Sequence, residues 1–208
     1  DNSNWTNNSK NSYTYDVNNN LIVELHQNWY GSVWENNSKC SNSYDSNNNL
    51  IVQLGQNWDG FNWVNNYKIS YTYDLNNNLI EGLNQGWVGS NWRNSWKYFC
   101  SYNISNNLIE KLGQVWSVSN WVNYYNWTYT YNENDYLNVY LWQKWDGSDW
   151  LNDDKYSYTY DATNNMIEEL WQNWDGFNWV NGDMLTYSYV PTKIEEFLVE
   201  ANTFSLSQ

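Results

Sequence analysis

A 29-residue period runs through the chain and constrains its fold more than any other feature. The first two copies open at Leu21 and Leu50, a step of 29 residues (50 − 21 = 29), and the same step separates every later copy. A strict period of this size indicates a repeat protein, in which each copy forms one small unit that packs on its neighbours. The six copies open at Leu21, Leu50, Leu79, Leu108, Leu137 and Met166.

Fixed residues recur at alternate places within each copy. With the opening residue counted as position 0, Leu, Gln and Trp occupy positions 4, 6 and 8, Trp and Asn occupy positions 13 and 15, and Tyr occupies position 23. Alternation with a period of two is typical of β-strands, because successive side chains point to opposite faces. Each copy is therefore predicted to form two strands, A at positions 0–9 and B at positions 13–24.

The segments between the predicted strands have the chemistry of turns. Asp59-Gly60 separates A from B in the second copy, and Asp-Gly supplies the positive φ of a tight hairpin. The sequence Asp-x-Asn-Asn-Asn at 74–78 separates B from the next A, and Asn and Asp favour such turns. Short connections join antiparallel neighbours. The predicted fold is all-β, an extended antiparallel meander of tandem hairpins that twists or curls because a large sheet seldom stays flat.

The copies divide the chain into three segments. Residues 1–20 match only the B half of a repeat, residues 21–194 hold six full repeats, and residues 195–208 form an A-like strand, beginning near 193, and a linker tail. One B strand, six pairs and one A strand make about fourteen strands. Because the chain starts at Asp1 without an apolar leader, we expect either that a targeting segment has been removed or that the chain is a trimmed fragment.

The two terminal segments are complementary in kind. The last A strand lacks the B partner that every other A strand has. The first B strand of a second molecule is a partner of this kind. Open strand edges invite pairing, and a head-to-tail contact that does not close builds a filament. The first hypothesis is therefore a structural subunit of an extracellular or cell-surface fibre, a homopolymer joined by β-strand pairing. The predicted interface residues are Trp5, Tyr13, Tyr15, Ile194, Phe197 and Val199.

The tryptophan rows leave a second hypothesis open. If the sheet curls or a second layer covers it, the rings form a core, which the strong packing preference of aromatic side chains favours. If the face stays open, the rings could stack on sugars, and the protein would be a carbohydrate-binding surface adhesin with a polysaccharide partner. The rows consist of Trp29, Trp58, Trp87, Trp116, Trp145 and Trp174, and of Trp34, Trp63, Trp92, Trp121, Trp150 and Trp179.

Composition excludes several classes of function. The net charge is −14 with nine Lys and Arg residues, so a nucleic-acid partner is not expected. No stretch approaches the ~20 apolar residues of a membrane-spanning helix. No acid–base pair or nucleophile recurs in a cluster, so we expect neither an enzyme nor a cofactor. His26 is the only histidine, stands at a variable position and is expected at the surface.

Metal and disulfide sites are also disfavoured. Cys40 and Cys100 should lie four strands apart, about 19 Å, whereas a disulfide needs Cα atoms within about 7 Å. The lack of a His/Cys cluster excludes zinc. Four acidic turns place oxygen groups at alternating positions, as calcium loops do, but lack the closing Glu, so a hydrogen-bonded turn is favoured. These weak calcium candidates are Asp16, Asp45, Asp74 and Asp161.

Several Asn-x-Ser/Thr sequons are candidates for glycosylation, which would imply an extracellular setting. An Asn-rich chain also produces such triplets by chance. The sequons begin at Asn4, Asn7, Asn36, Asn103 and Asn126.

The junctions from B to A resemble the YD (Rhs-type) repeat. Tyr-Thr-Tyr-Asp-Val-Asn-Asn-Asn-Leu-Ile at 13–22 and Tyr-Thr-Tyr-Asp-Leu-Asn-Asn-Asn-Leu-Ile at 71–80 carry its Tyr-x-Tyr-Asp core, with Asn where the family has Gly and with a longer period. The Trp-Asp-Gly hairpins resemble secreted repeat proteins of Bacteroidetes. Residues 201–208 resemble the segment before a type IX secretion sorting domain, which would have been cleaved or is not covered. The resemblance implies export and a surface role, and it does not imply catalysis.

Overall fold

The computed structural model describes residues 8–188, which form one sheet of thirteen antiparallel strands in chain order. The predicted all-β meander of tandem hairpins is confirmed, and the described sheet is not closed into a barrel. The predicted last A strand lies outside the described residues. The strands are β1 Ser9–Tyr15, β2 Leu21–Tyr30, β3 Val33–Tyr44, β4 Leu50–Trp58, β5 Trp63–Tyr73, β6 Leu79–Val88, β7 Asn91–Tyr102, β8 Leu108–Ser117, β9 Asn120–Tyr131, β10 Leu137–Trp145, β11 Trp150–Tyr160, β12 Met166–Trp174 and β13 Trp179–Thr186.

The described sheet is a single layer. The substantial contacts between its strands all join consecutive strands. Among residues 8–188 no large side chain is fully buried, and Tyr98, 8% exposed, is the one buried side chain of the apolar and aromatic class. The expectation of a covered aromatic core is therefore wrong for this part of the chain. The reason is topological, because a linear meander brings no second layer over either of its faces.

A bulge in strand B sets which side chains share a face. In the second copy Gln56 lies opposite Asn65, but the preceding Gly55 lies opposite Tyr67, so Asn66 has no partner. An unpaired residue of this kind is a β-bulge, and it reverses the alternation of side chains beyond it. The uninterrupted alternation predicted for strand B is therefore wrong. Tyr at positions 21 and 23 lies on the face opposite to that of Trp at position 13.

The two faces differ in regularity. The Trp face carries positions 4, 6 and 8 of strand A and positions 13, 15 and 18 of strand B, and in the second copy these are Leu54, Gln56, Trp58, Trp63, Asn65 and Lys68. The Tyr face carries positions 3, 5 and 7 of strand A and positions 17, 19 and 21 of strand B, and in the same copy these are Gln53, Gly55, Asn57, Tyr67, Ile69 and Tyr71. Residues of the Trp face are nearly constant between copies, whereas those of the Tyr face vary.

The constant Tyr at position 23 closes the first five hairpins. Tyr73 Oη donates a hydrogen bond to the carbonyl oxygen of Leu50 at 2.9 Å. The same bond recurs in five copies, with lengths of 2.8 to 3.0 Å. It joins the last residue of strand B to the first residue of strand A in the same hairpin, which explains why a phenol is kept at this position.

Glycines on the Tyr face make room for rings from the neighbouring strand. A Cβ atom added at Gly82 would lie 2.5 Å from the ring of Tyr98, closer than any real contact allows. The rings of Tyr67 and Tyr125 cover two further glycines in the same way. Burial raises the pKa of Tyr98 to about 12. Each tyrosine ring therefore lies across the neighbouring backbone and shields it from solvent.

We predict that Gly82→Ala destabilises the protein by about 1–3 kcal/mol, because the new methyl group overlaps the Tyr98 ring. Gly86 lies on the same strand with nothing within 4 Å of an added Cβ. Gly86→Ala should therefore leave the stability unchanged or raise it slightly. Urea unfolding followed by tryptophan fluorescence compares the two variants, and equal losses of stability would contradict this account.

Candidate functional site

Paired tryptophans line the Trp face from one end of the sheet to the other. In each hairpin the indole at position 8 lies opposite the indole at position 13, with ring centroids 4.9 to 5.1 Å apart and interplanar angles of 61 to 73°. Edge-to-face pairs of this kind contribute about 0.5–1.5 kcal/mol each beyond their buried area. Neighbouring pairs are two strands apart, or about 10 Å. The twelve tryptophans of the two rows form a regular, half-buried array.

An amide pair stands beside each tryptophan pair. The Gln at position 6 donates through Nε2 to Oδ1 of the Asn at position 15, at 2.7 to 3.0 Å in all six copies. The amides therefore pair within each hairpin and not from copy to copy. This bond does not use the Asn NH₂ group or the Gln carbonyl oxygen, so each copy has a donor and an acceptor to offer.

A row of lysines also lies on the Trp face, and it was not identified as a functional feature from the sequence. The lysine at position 18 places Nζ 4.6 to 5.0 Å from the ring centroid of the position-13 Trp in the next copy, a cation–π contact. The available signal was the recurrence of Lys at the 29-residue period. The contacts join Lys10 to Trp34, Lys39 to Trp63, Lys68 to Trp92, Lys97 to Trp121 and Lys155 to Trp179.

Two of the six copies lack this lysine, because position 18 is Asn126 in the fourth copy and Met184 in the sixth. Asn126 is 7% exposed and donates through Nδ2 to Glu110 Oε1 at 3.2 Å. The Asn126 amide is enclosed by protein, so the folded chain does not present it to a glycosylating enzyme. This burial disfavours the predicted glycosylation at Asn126.

The other sequons are placed differently. Asn36 accepts the amide hydrogen bond of Gln27 at 3.0 Å on the Trp face. Asn103 begins a turn and accepts backbone N–H groups through Oδ1 at 2.9 and 3.0 Å. Asn4 and Asn7 lie outside the described residues. Both described side chains are thus already part of the repeat's own hydrogen bonding.

The acidic turns bind their own amides. Asp45 Oδ1 accepts the backbone N–H groups of Asn47 and Asn49 at 2.8 and 2.9 Å, and its Oδ2 accepts the Asn49 side-chain amide at 3.1 Å. The turns at Asp16 and Asp74 repeat this pattern. Asp161 makes the same backbone contacts, at 2.8 and 2.9 Å. N–H groups directed at these oxygens occupy the directions a calcium ion would need, which supports the hydrogen-bonded turn.

The turns are also joined to one another. Asn49 Nδ2 donates a second bond, at 2.8 Å, to Oδ1 of Asn77 at the apex of the next turn. Asn77 has a φ of 64°, in the left-handed region that Asn tolerates. Equivalent bonds of 2.8 and 3.0 Å reach Asn48 and Asn106. A row of amides therefore binds successive copies along this end of the strands. Among the described residues, no group of three or more His, Cys, Asp or Glu side chains could hold a metal ion.

The two cysteines are free and lie four strands apart, Cys40 on β3 and Cys100 on β7. Cys40 lines a shallow cleft of about 430 Å³ on the Tyr face together with His26 and Tyr67. Tyr67 Oη donates a hydrogen bond to Cys40 Sγ at 3.8 Å. Burial is the main cause, and the Cys40 thiol the second, that raises the pKa of Tyr67 to about 12. His26 Nδ1 lies 2.7 Å from Asn11 Oδ1. The cleft holds a thiol and an imidazole without a metal-binding arrangement.

Two of the predicted interface residues lie in β1, where Tyr13 and Tyr15 are 51% and 56% exposed. The remaining ones, Trp5, Ile194, Phe197 and Val199, lie outside the described residues. The described part of the chain has no helix long and apolar enough to cross a membrane.

Comparisons with known proteins show similarity only in structure. No family model and no curated protein matches the chain. A Bacteroides fragilis protein of unknown function has a TM-score of 0.45 and 14% identity, covering 56% of this chain and 88% of its own. A DUF3836 family protein from Bacteroides vulgatus has a TM-score of 0.31 and 22% identity, covering 49% of this chain and 89% of its own. TcdB2-TccC3, which contains Rhs/YD repeats, has a TM-score of 0.42 and 14% identity, covering 86% of this chain and 11% of its own. These TM-scores are below 0.5, and the likeness assigns no function to this chain.

Acidic pH should weaken the turns. Backbone N–H groups, that of Asn165 first, lower the pKa of Asp161 from 3.8 to about 2. Because the folded pKa lies below the unfolded one, this stabilisation is present above pH 3.8 and is lost as the pH falls towards 2. We expect the thermal midpoint to fall over this interval, and to fall less in Asp161→Asn. Asn103 shows that Asn can accept the same backbone bonds. Identical pH profiles of the two proteins would contradict the assignment.

Proposed function

We propose that this protein is a structural subunit of an extracellular or cell-surface fibre, in which β1 of one molecule pairs with an A-type strand of another molecule. The supporting observation is the open side of β1. Among the strands of residues 8–188, this type-B strand pairs with β2 alone, whereas the B strands from β3 to β11 each lie between two A strands. The open side of β1 therefore has the pairing pattern that an A strand fits.

The backbone of β1 is ready for a second partner. The Trp29 N–H donates to the Asn8 carbonyl oxygen at 2.8 Å, so these two residues form a hydrogen-bonded pair. Bonded and non-bonded pairs alternate in an antiparallel ladder. Ser9, Asn11 and Tyr13 therefore direct their N–H and C=O groups away from β2. The strand is exposed along its whole length and contains no proline, one of the devices that protect edges.

The proposed partner strand lies near residues 193–202. Its Ile-Glu-Glu-Phe at 194–197 matches Ile-Glu-Glu-Leu at 167–170, which belongs to the A strand β12. The resemblance to secreted YD-repeat proteins supports the extracellular setting.

A structural role suits a single-layered sheet. Each copy adds two strands and repeats the same tryptophan pair, amide pair and tyrosine bond, so the sheet lengthens without changing its local contacts. A molecule of fourteen strands at ~4.8 Å per strand would advance a straight fibre by about 67 Å. The described faces carry shallow clefts, and no acid–base pair recurs in them.

Replacing Tyr13 with proline tests the role of the β1 edge. Tyr13→Pro removes an N–H that points away from β2, so it should block pairing at the open side while keeping the β1–β2 hairpin. Tyr13→Ala loses the same ring but keeps the N–H. Sedimentation velocity and electron microscopy should show fibres for the natural chain and for Tyr13→Ala, and monomers for Tyr13→Pro. Monomers of the natural chain at high concentration, or fibres of Tyr13→Pro, would refute the proposal.

A further inference from the structure

We propose that the Trp face binds a linear anionic polysaccharide carrying about one negative group for every two sugar units. The polymer would run across the strands, along the direction in which copies follow one another. This inference is independent of the fibre proposal, because it uses a face of the sheet and the fibre uses an edge.

The distribution of charge carries the inference. The chain has 9 Lys and Arg residues against 23 Asp and Glu, yet five of those nine stand in one row on the Trp face, at the same position of successive copies. The ion pair found among residues 8–188 joins Lys144 to Asp153 at 2.7 Å, and neither belongs to the row. The five lysines therefore contact indole rings, and their charge is available to an external anion.

The Trp face is most positive where it carries lysines but few acidic side chains. Position 2 of strand A carries Glu81, Glu110 and Glu168 in the third, fourth and sixth copies, but Val23 and Val52 in the first two. No carboxylate oxygen among the described residues lies within 4.0 Å of a lysine of the row. The segment from β1 to β5, with Lys10, Lys39 and Lys68, is therefore the strongest anion-binding region.

The repeat distance matches an extended sugar chain. Successive lysines lie two strands apart, about 10 Å, which is close to the length of a disaccharide in an extended β-linked polymer. Each of the five lysine steps offers one ammonium group, indole surface for the apolar side of a pyranose, and the unused Asn NH₂ and Gln carbonyl groups for hydroxyls. Because this set recurs without a gap from Lys10 to Lys97, weak single contacts add up to useful affinity.

Nucleic acid fits this face poorly. Phosphates follow one another at about 3.4 Å per strand of a duplex, far more densely than one lysine per ~10 Å. The net charge of −14 also repels a polymer of high charge density. A polyuronate or a sparsely sulfated glycan has the lower charge density that the row can match.

Two cellulose derivatives test the charge requirement with one backbone. Carboxymethyl cellulose is anionic and hydroxyethyl cellulose is neutral, and affinity gel electrophoresis measures the binding of each. The natural chain should bind the carboxymethyl polymer preferentially, and added NaCl should weaken this binding. Lys39→Met combined with Lys68→Met should reduce the affinity at least ~10-fold, since two neighbouring anion contacts are lost.

A matched control uses two lysines of the Tyr face. Lys111 and Lys144 also contact aromatic rings, at 4.4 Å from the Tyr98 centroid and 4.7 Å from the Trp142 centroid. Lys111→Met combined with Lys144→Met therefore removes the same charge and the same type of contact, and it should leave the affinity nearly unchanged. Equal losses in the two double variants, equal binding of the neutral polymer, or tighter binding of single-stranded DNA would each overturn the inference. Insensitivity of the natural chain to NaCl would do so without any variant.

Discussion

Pairing between neighbouring strands is the interaction on which the whole structure depends. In most domains of this size a buried core supplies the main stabilising free energy, but here the described sheet is one layer thick and its rings are half-buried. Cross-strand contacts must take that role. Each hairpin concentrates them in a tryptophan pair, a Gln–Asn bond and the bond from Tyr73 to Leu50 or its equivalent. Side chains that are constant between copies are largely those that make these contacts.

Contacts between copies complement those within a hairpin. Lys39 reaches across β4 to Trp63 of the next copy, and Asn49 donates to Asn77 of the next turn. One contact lies on the Trp face and the other at the ends of the strands, so each copy is joined to the next at two separate places. The same lysine contact leaves a regular row of positive charge.

The two faces divide the chemistry of the molecule. The Trp face is regular, and a regular surface suits a partner that is itself periodic. On the Tyr face the residues at positions 3, 5 and 19, such as Gly82, Trp142 and Tyr98, vary between copies, and the Tyr at position 23 is its constant residue. If molecules join end to end at β1, each molecule adds its own row of lysines, and a fibre would present many such rows in a line.

The sequence alone determined the strands and their antiparallel order. These features follow from local alternation and turn chemistry, which act between residues close in the chain. Only the tertiary structure decided the bulge at Asn66, because the residue left unpaired depends on how two strands of fixed length meet between two turns. That bulge moves Tyr71 to the opposite face and brings Lys68 beside the tryptophans. The single open layer was also beyond the sequence, since whether a sheet folds back on itself depends on long-range contacts that periodicity does not encode.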